Sequence, residues 1–161
     1  RAKDKSFNAT MKTDFDSAIG MVNIIPQDIG RVILNLITNA FYAVSEKQKA
    51  LQTPYPLEGG PDYQPTVTVM TKHQLPLSGG RGSDGANGLI EISISDNGPG
   101  IPESAMAKIF QPFFTTKPTG QGTGLGLSLS YDIVKAHGRE LTFETKEEEK
   151  TVFTIHLPIK I

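Results

Sequence analysis

The clearest regular pattern of apolar residues starts just after Pro26 and predicts a long helix. Apolar side chains recur there every three or four positions, which places them on one stripe over about five turns. Pro26, Gln27 and Asp28 suit the first turn of such a helix. The stripe consists of Ile29, Val32, Ile33, Leu36, Ile37, Ala40 and Val44.

A second helical stripe is predicted near the end of the chain. It ends at His137–Gly138, where the glycine suits the left-handed position that follows a helix. A short helix is expected over 103–109, and residues 110–121 show no regular pattern. The second stripe consists of Leu125, Leu127, Leu129, Ile133, Val134 and Ala136.

Five segments have the composition or the alternation of strands. Residues 6–14 alternate weakly and predict an edge strand, whereas 66–75 and 89–97 are rich in β-branched residues. Segments 140–146 and 151–158 predict a closing hairpin around the acidic turn EEEK. Because strands and helices do not alternate one for one, we expect an α+β fold. It is a two-layer sandwich whose mixed, mostly antiparallel sheet is covered on one face by helices.

The remaining segments bound the domain. Residues 52–65 hold four prolines and two glycines and cannot continue a helix. Residues 76–88 hold five glycines and predict a flexible loop, either a tolerated insertion or a partner-binding element. The 161 residues fit a single domain (1–161), and we expect residues 1–5 to be the remnant of an upstream linker.

Composition excludes several classes of function. The 16 basic and 17 acidic residues give a net charge of −1, which offers no support for nucleic-acid binding. Cysteine is absent, which excludes a disulfide framework and a thiolate metal site. No apolar run approaches the roughly 20 residues that cross a bilayer, and no secretory leader opens the chain. We expect a soluble, cytoplasmic fragment of a longer protein, with no membrane contact of its own.

Two glycine-rich motifs carry the candidate chemistry. DNGPGIP at 96–102 follows a predicted strand, and GTGLGLS at 122–128 opens a predicted helix. Spaced glycines beside one carboxylate form a backbone-lined pocket, and the unpaired N–H groups of a helix N-terminus attract anions. The pair therefore indicates a purine-nucleotide site. Neither the P-loop pattern GxxxxGK[ST] nor a dinucleotide fingerprint is present.

Asn35 and Asn39 lie four residues apart, on one face of the predicted long helix and beside its apolar stripe. In one interpretation their amide oxygens point into the pocket, and one of them ligates Mg²⁺, which prefers oxygen ligands. In the other they form part of a solvated helix face. The two glycine motifs favour the first.

Asp96 directly follows a strand whose inward residues are isoleucines. Its carboxylate can accept a hydrogen bond from an exocyclic amine, such as N6 of adenine. Guanine presents a carbonyl at that place and is rejected. A simple Asp-Asn-Gly turn is the alternative, but the complete motif DNGPGIP favours an adenine site.

Four motifs together resemble a known family. NLITNA at 35–40, DNGPGIP, FQPFFTTK at 110–117 and GTGLGLS match, in order and spacing, the N box, first glycine box, F box and second glycine box of sensor histidine kinases. From about residue 6 to 159 the chain resembles their catalytic, ATP-binding domain, which has the Bergerat ATP-binding fold. Its superfamily also holds DNA gyrase, a heat-shock chaperone ATPase and a mismatch-repair ATPase. The PFFTTK segment is similar to that of the nitrogen-regulator subgroup.

The resemblance implies a role for each motif position. Asn39 corresponds to the magnesium ligand, and Asn35 to a helix position near the phosphates. Asp96 corresponds to the adenine-binding aspartate, and Gly98 and Gly100 let the backbone approach the base. The cofactors implied are ATP and Mg²⁺.

A mobile lid over residues 103–121 is also implied. Phe110, Phe113 and Phe114 would pack as its anchor. Lys117 lies where a cation can reach the γ-phosphate, although a solvated loop is the alternative. The glycines that hinge this lid and cradle phosphate are Gly122, Gly124 and Gly126.

The resemblance therefore yields a complete set of candidate site residues. Asn35 and Lys117 are the candidate catalytic residues, and Asn39 is the candidate metal ligand. The candidate ATP-binding residues are Asn35, Asn39, Tyr42, Asp96, Gly98, Gly100, Ile101, Phe110, Thr116, Lys117, Gly122, Thr123, Gly124, Leu125, Gly126 and Leu127.

The chain departs from the family pattern at two places. Many members continue the N box with a lysine and an aromatic residue, where this chain has Tyr42 and Ala43. Tyr42 can stack or hydrogen-bond near the nucleotide, but the charge of the lysine is missing. Lys47 or Lys49 can compensate, although we expect both in solvent. Arg139 replaces a frequent glycine, and we expect only a local effect on its turn.

Asn35 distinguishes a kinase from a hydrolase. Hydrolases of the superfamily place a glutamate at this position, and an asparagine cannot take up a proton from water. Phosphoryl transfer is therefore favoured, with a hydrolytic ATPase or a binding module without transfer activity as alternatives. His73, His137 and His156 lack the helical context and the following acidic residue of a phosphoacceptor. The implied partners are a separate N-terminal dimerisation domain that carries the acceptor histidine, and a response regulator.

Overall fold

The computed structural model of the protein describes residues 8–51, 62–74, 88–120 and 122–158. Five strands and three helices form within these ranges. In chain order they are β1 (Thr10–Phe15), α1 (Pro26–Leu51), β2 (Thr66–Gln74), β3 (Leu89–Asp96), α2 (Glu103–Met106), α3 (Gly126–Ala136), β4 (Glu140–Lys146) and β5 (Lys150–Pro158). None of the described helices is long and apolar enough to span a membrane.

The strands form one sheet in the order β1-β2-β3-β5-β4. β1 is an edge strand parallel to β2, and every other neighbouring pair is antiparallel. The mixed, mostly antiparallel sheet that the sequence predicts is thus confirmed. Asp96 closes β3, between Val67 at the start of β2 and Thr151 at the start of β5.

The apolar stripe of α1 packs on one face of this sheet. Its fully buried members contact isoleucines and valines from the inward side of β2, β3 and β5, which confirms a two-layer α+β fold. The stripe predicted from periodicity is also confirmed, because the residues of α1 with the lowest exposure are Ile29, Val32, Leu36, Ala40 and Val44.

α3 lies beside α1, but its inward face differs from the predicted stripe. Leu129 is 47% exposed, whereas Ser128 and Ser130 are buried. The Ser130 hydroxyl donates to the Gly126 carbonyl within its own helix (2.8 Å) and accepts from the Asn35 amide of α1 (3.3 Å). Small serines with bonded hydroxyls let the two helices approach closely, a property that apolar periodicity does not report.

At the helix ends, the structure confirms one prediction and corrects another. Gly138 follows α3 with φ +66° and donates to the Lys135 carbonyl, so the predicted C′ glycine is confirmed. α2 is one turn long rather than covering 103–109, because the chain continues in successive tight turns from Ala107. The predicted linker at 1–5 and nearly all of the predicted loop at 76–88 lie outside the described residues.

Candidate functional site

A cavity of about 590 Å³ lies between α1, the loop after β3 and the segment that precedes α3. Most of the predicted site residues meet there. Those that line it are Asn39, Tyr42, Asp96, Gly100, Ile101, Thr116, Lys117, Gly122, Thr123, Gly124, Gly126 and Leu127. The predicted residues that do not line it are Asn35, Gly98, Phe110 and Leu125.

Asp96 places the single buried carboxylate of the cavity at the end of β3. The side chain is 6% exposed, and one of its oxygens, Oδ1, accepts a hydrogen bond from the Gly98 N–H at 2.9 Å. The other oxygen has no donor among the described residues, so it can receive one from a ligand. Burial raises the pKa of Asp96 to about 6, although the Gly98 N–H and the charge of Lys47 both lower it.

Lys47 is a structural part of the loop beside Asp96, which corrects the expectation that it lies in solvent. Its ammonium group donates to the carbonyls of Gly98 (3.3 Å) and Glu148 (2.6 Å). It also lies 5.2 Å from the centre of the Tyr63 ring. Lys47 therefore ties the end of α1 to the first glycine motif and to the β4–β5 turn.

Tyr63 and Asn97 fix the same loop from the other side. The Tyr63 hydroxyl donates to Asn97, with its backbone oxygen at 3.1 Å, and the Asn97 side chain accepts from the Thr66 N–H at 2.8 Å. Burial, and then the charge of Asp96, raise the pKa of Tyr63 to about 12, so its proton stays in this network. Nothing in the sequence pattern marks Tyr63, because it follows a proline-rich segment far from any motif.

The glycines of the first motif are required by contacts within the protein. Gly100 has φ +74°, and a Cβ there would lie 2.5 Å from the Lys146 carbonyl. A Cβ on Gly98 would lie 2.7 Å from the Asp96 carboxylate and 2.9 Å from the Ala43 methyl group. The loop therefore packs closely on α1 and on the β4–β5 turn, and this packing positions Asp96.

Phe110 anchors the predicted lid in the core. It stacks on Tyr131 of α3 with ring centres 4.9 Å apart and contacts Phe143 and Phe153 edge-on. Its place in this aromatic cluster fits the anchor role but lies outside the lining of the cavity.

The other two lid phenylalanines behave differently from each other. Phe114 packs against the core, whereas Phe113 is 75% exposed with φ +65°. The expectation that Phe113 packs as an anchor is wrong, because this turn of the backbone directs its side chain outward. The turn is held by a hydrogen bond from the Phe113 N–H to the Gly124 carbonyl at 2.9 Å.

Lys117 reaches across the cavity from the predicted lid to α1. Its ammonium group donates to the Asn39 side-chain oxygen at 3.3 Å and lies 4.4 Å from the centre of the Tyr42 ring. Among the described residues that line the cavity, Lys117 is the sole cation. Lys49, by contrast, pairs with Glu46 at the surface, as expected for a solvated residue.

Asn35 lies one turn before Asn39 on α1 and bonds to Ser130 of α3. Its role near phosphates therefore stays a prediction. Within the described part of the chain, no group of three or more His, Asp or Glu side chains could hold a metal. The neutral Asn39 oxygen fits a cation that takes its other oxygens from a ligand and from water.

The comparisons with known proteins place the chain in a family. The sequence profile of the histidine kinase-, DNA gyrase B- and HSP90-like ATPases matches residues 24–161. The chain therefore belongs to this family of ATPase domains. Its relatives and its structural neighbours are, more narrowly, sensor histidine kinases and their catalytic domains, which confirms the resemblance to that group.

Two curated relatives show the extent of the match. The sensory histidine kinase/phosphatase NtrB of Salmonella typhimurium is 31% identical over 153 residues, which are 95% of this chain and 38% of that protein. The two-component sensor PprA of Pseudomonas aeruginosa is 46% identical over 72 residues, 45% of this chain and 8% of that protein. The chain thus spans well under half of these relatives. The similarity of its PFFTTK segment to one subgroup stays a prediction.

Two solved structures show the same fold. The catalytic domain of histidine kinase ThkA, in a nucleotide-free form, superposes with a TM-score of 0.64 at 25% identity, over 92% of this chain and 79% of that one. The mycobacterial sensor histidine kinase MprB superposes with a TM-score of 0.62 at 24% identity, over 93% of this chain and 83% of that one.

Asp96→Asn should stabilise the protein while it weakens nucleotide binding. Burial raises the pKa of Asp96 from its ordinary 3.8 to about 6, so between pH 6 and pH 3.8 the folded chain holds a proton that the unfolded chain has released. Above pH 6 the buried charge costs about 3 kcal/mol of folding free energy, and below 3.8 this cost disappears. The asparagine removes it at every pH. Urea unfolding should show a gain at pH 8 and little gain at pH 4, and equal gains would contradict this origin.

Lys47→Met should raise the pKa of Asp96 further above 6. The charge that lowers this pKa is removed together with two hydrogen bonds that hold the loop. Titration of the Asp96 carboxyl carbon by ¹³C NMR measures the shift. Lys49→Met removes the same charge from a surface residue paired with Glu46 and is the matched control. The same shift in both variants would show that Lys47 has no specific role.

Gly124→Ala should destabilise the folded protein more than Gly120→Ala does. Both glycines have positive φ (+69° and +87°), so each substitution costs roughly 1–2 kcal/mol of backbone strain. Only at Gly124 would the new Cβ meet backbone, 2.5 Å from the carbonyl carbon of Phe113, whereas Gly120 has open space. Urea unfolding and proteolysis of the lid should both separate the two variants. Equal losses would mean that the contact with Phe113 is unimportant.

Proposed function

We propose that this chain is a single ATP-binding domain of a sensor histidine kinase. It binds Mg-ATP and donates the γ-phosphate to a histidine on a separate dimerisation domain of its parent protein. The partner of this parent protein is a response regulator. The observation that carries the proposal is Asp96, a buried carboxylate with one free oxygen at the floor of a 590 Å³ cavity. Membership of the ATPase family and the kinase relatives support it.

The adenine end of the proposed site is built around Asp96. Its free oxygen accepts the N6 amine of adenine, while Gly100 and Ile101 line the wall beside it. The loop is already fixed by Lys47, Tyr63 and the neighbouring turn. A fixed acceptor loses little conformational freedom on binding, which favours affinity and selection of adenine.

The phosphate end is formed by α1, the lid and the start of α3. Asn39 would hold Mg²⁺ through its side-chain oxygen, and Lys117 would contact the γ-phosphate. The glycine-rich segment before α3 exposes backbone N–H groups of a helix N-terminus, which attract anions. Mg²⁺ supplies charge neutralisation of the phosphates when bound. We assign the lid to residues 103–121.

Phosphoryl transfer rather than hydrolysis is favoured by Asn35. An asparagine cannot deprotonate a water molecule, so this chain needs a nucleophile that is stronger than water. A neutral imidazole meets this need. The bond between the γ-phosphorus and the bridging oxygen breaks with its electron pair going to ADP. A phosphorus–nitrogen bond forms, and the ring N–H proton passes to a base of the acceptor domain.

None of the histidines of this chain is suited to be the acceptor. His137 contacts the Ile133 carbonyl (2.7 Å) at the end of α3, and His156 lies between Thr142 (2.9 Å) and Glu91 in the sheet. His73 lies in β2. The acceptor is therefore proposed to belong to the larger part of the parent protein. We further propose that the domain works in the cytoplasm, where ATP is available, and that it contacts neither nucleic acid nor the membrane.

The full-length parent protein incubated with γ-³²P-ATP and Mg²⁺ tests this function. Protein label that is stable in base and labile in acid is the expected result, since a phosphohistidine behaves in this way. Free phosphate without labelled protein would instead identify a hydrolytic ATPase of the same fold. Nucleotide binding without either product would identify a binding module.

Asn39→Ala tests the metal role separately. Calorimetric affinity for ATP should fall in the presence of Mg²⁺ and change little in EDTA, because only the metal-dependent part of binding is removed. Thr38→Ala, at an exposed neighbouring position on α1, is the control. If the unmodified protein binds ATP equally with and without Mg²⁺, the assignment of Asn39 is wrong.

A further inference from the structure

Lys117 is directed toward α1 by contacts along its whole length. Its backbone N–H donates to the Thr115 hydroxyl at 3.0 Å. Its aliphatic stem passes close to Gly122, where an added Cβ would lie 2.9 Å from the lysine Cδ. The ammonium group then ends between the Asn39 oxygen and the face of the Tyr42 ring. The lysine is therefore held in place before any nucleotide arrives.

The partners of this ammonium group are both uncharged. Glu46 lines the same cavity, but its carboxylate pairs with Lys49 at 2.8 Å. An aromatic face attracts a cation weakly at exposed sites and more strongly when water is excluded. A phosphate adds the attraction of opposite charges to its hydrogen bond, which neither the amide oxygen nor the ring offers. An anion can therefore take the amine from Asn39, whereas a carboxylate partner would retain it.

Asn39 and Tyr42 are three residues apart on α1, so their side chains lie on the same face, one turn from each other. The proposed function gives the Asn39 oxygen to Mg²⁺. The lysine amine and a metal ion compete for this oxygen, because two cations at one neutral ligand repel each other. When the metal binds, the Tyr42 ring is the contact that remains to Lys117.

We propose that Tyr42 is a positioning residue for Lys117. When the Asn39 oxygen ligates the metal, the Tyr42 ring keeps the lysine amine over α1, where the amine can contact the γ-phosphate. The inference rests on the proposed function, since that function supplies the phosphate contact of Lys117. The Tyr42–Lys117 pair should then make the site bind ATP more tightly than ADP, because only ATP carries the γ-phosphate.

The nucleotide-free protein provides the first test. Protons of the Lys117 ε-methylene group that lie over a ring are shifted upfield in the NMR spectrum by the ring current. The shift should be present in the unmodified protein, retained in Tyr42→Phe and lost in Tyr42→Leu. Absence of the shift in the unmodified protein would overturn the proposal without any bearing on ATP binding.

A double-mutant cycle provides the second test. Tyr42→Leu should weaken Mg-ATP binding about 2–5-fold, the equivalent of a cation–π contact, and change Mg-ADP binding little. Lys117→Met should weaken Mg-ATP binding roughly tenfold or more. The double variant should bind like Lys117→Met alone, because the ring acts through the lysine. Thermal unfolding of each variant checks that the fold is intact.

Lys108→Met is the matched control, since it removes the same charge from an exposed lid residue outside the cavity and should leave both affinities unchanged. If Lys117→Met does not affect ATP, the phosphate contact in the proposed function is wrong, and the role of Tyr42 falls with it. If Lys117→Met weakens ATP binding but the effects of the two variants add, the positioning role alone is overturned. A Tyr42→Phe variant as weak as Tyr42→Leu would also overturn it, because the hydroxyl would then be the active group.

Discussion

The packing of the apolar stripe of α1 on the sheet is the interaction on which the rest of the structure depends. Val32, Leu36 and Val44 are at most 1% exposed, and each such side chain contributes about 1.5–3 kcal/mol when it is fully buried. A shift of α1 by one residue would turn every side chain by about 100° and expose this stripe. The rotation of the helix is therefore fixed, and with it the direction in which Asn39 and Tyr42 face the cavity.

The free energy of the same packing offsets the cost of burying a charge at Asp96. The buried isoleucines that precede Asp96 on β3 hold the end of this strand in the core, and the carboxylate is buried with it. The cost of ionising it is reduced locally by the Gly98 N–H and by Lys47. The remaining free-energy cost of ionisation is offset by the packing of the core. A carboxylate held in this way is poorly satisfied in the free protein and is therefore available to a ligand.

Much of the fold could be predicted from the sequence, because periodicity reports burial directly. The α1 stripe, the positions of the strand segments and the C′ glycine at Gly138 follow from local patterns. Features set by contacts between distant segments could not. From its sequence context Lys47 looks like a solvated helix residue. Its contact could not be predicted, because one of its acceptors is the carbonyl of Glu148, 101 residues away. Leu129 looks like a core residue, although serines occupy the buried face of α3.

The candidate site shows the same division. The glycine motifs and Asn39 are recognisable by their spacing, and the structure brings most of them to one cavity. Phe113 is not distinguishable from its neighbours by sequence, because its exposure follows from a left-handed backbone turn against Gly124. The cluster of Phe110 with Tyr131 is likewise formed by residues that no local pattern links.

Two lysines at this site illustrate how the nature of a partner decides the role of a charge. Lys47 donates to two backbone carbonyls, one in the first glycine motif and one in the β4–β5 turn, so moving it would leave both without their donor. Lys117 is bound by one amide oxygen and one aromatic ring. The oxygen can bind another cation or water when the lysine leaves, and the ring needs no partner. The first arrangement suits a rigid wall around Asp96, and the second suits a lid that must exchange contacts. In the proposed function, the rigid acceptor would hold the base and the exchangeable cation would meet the phosphates.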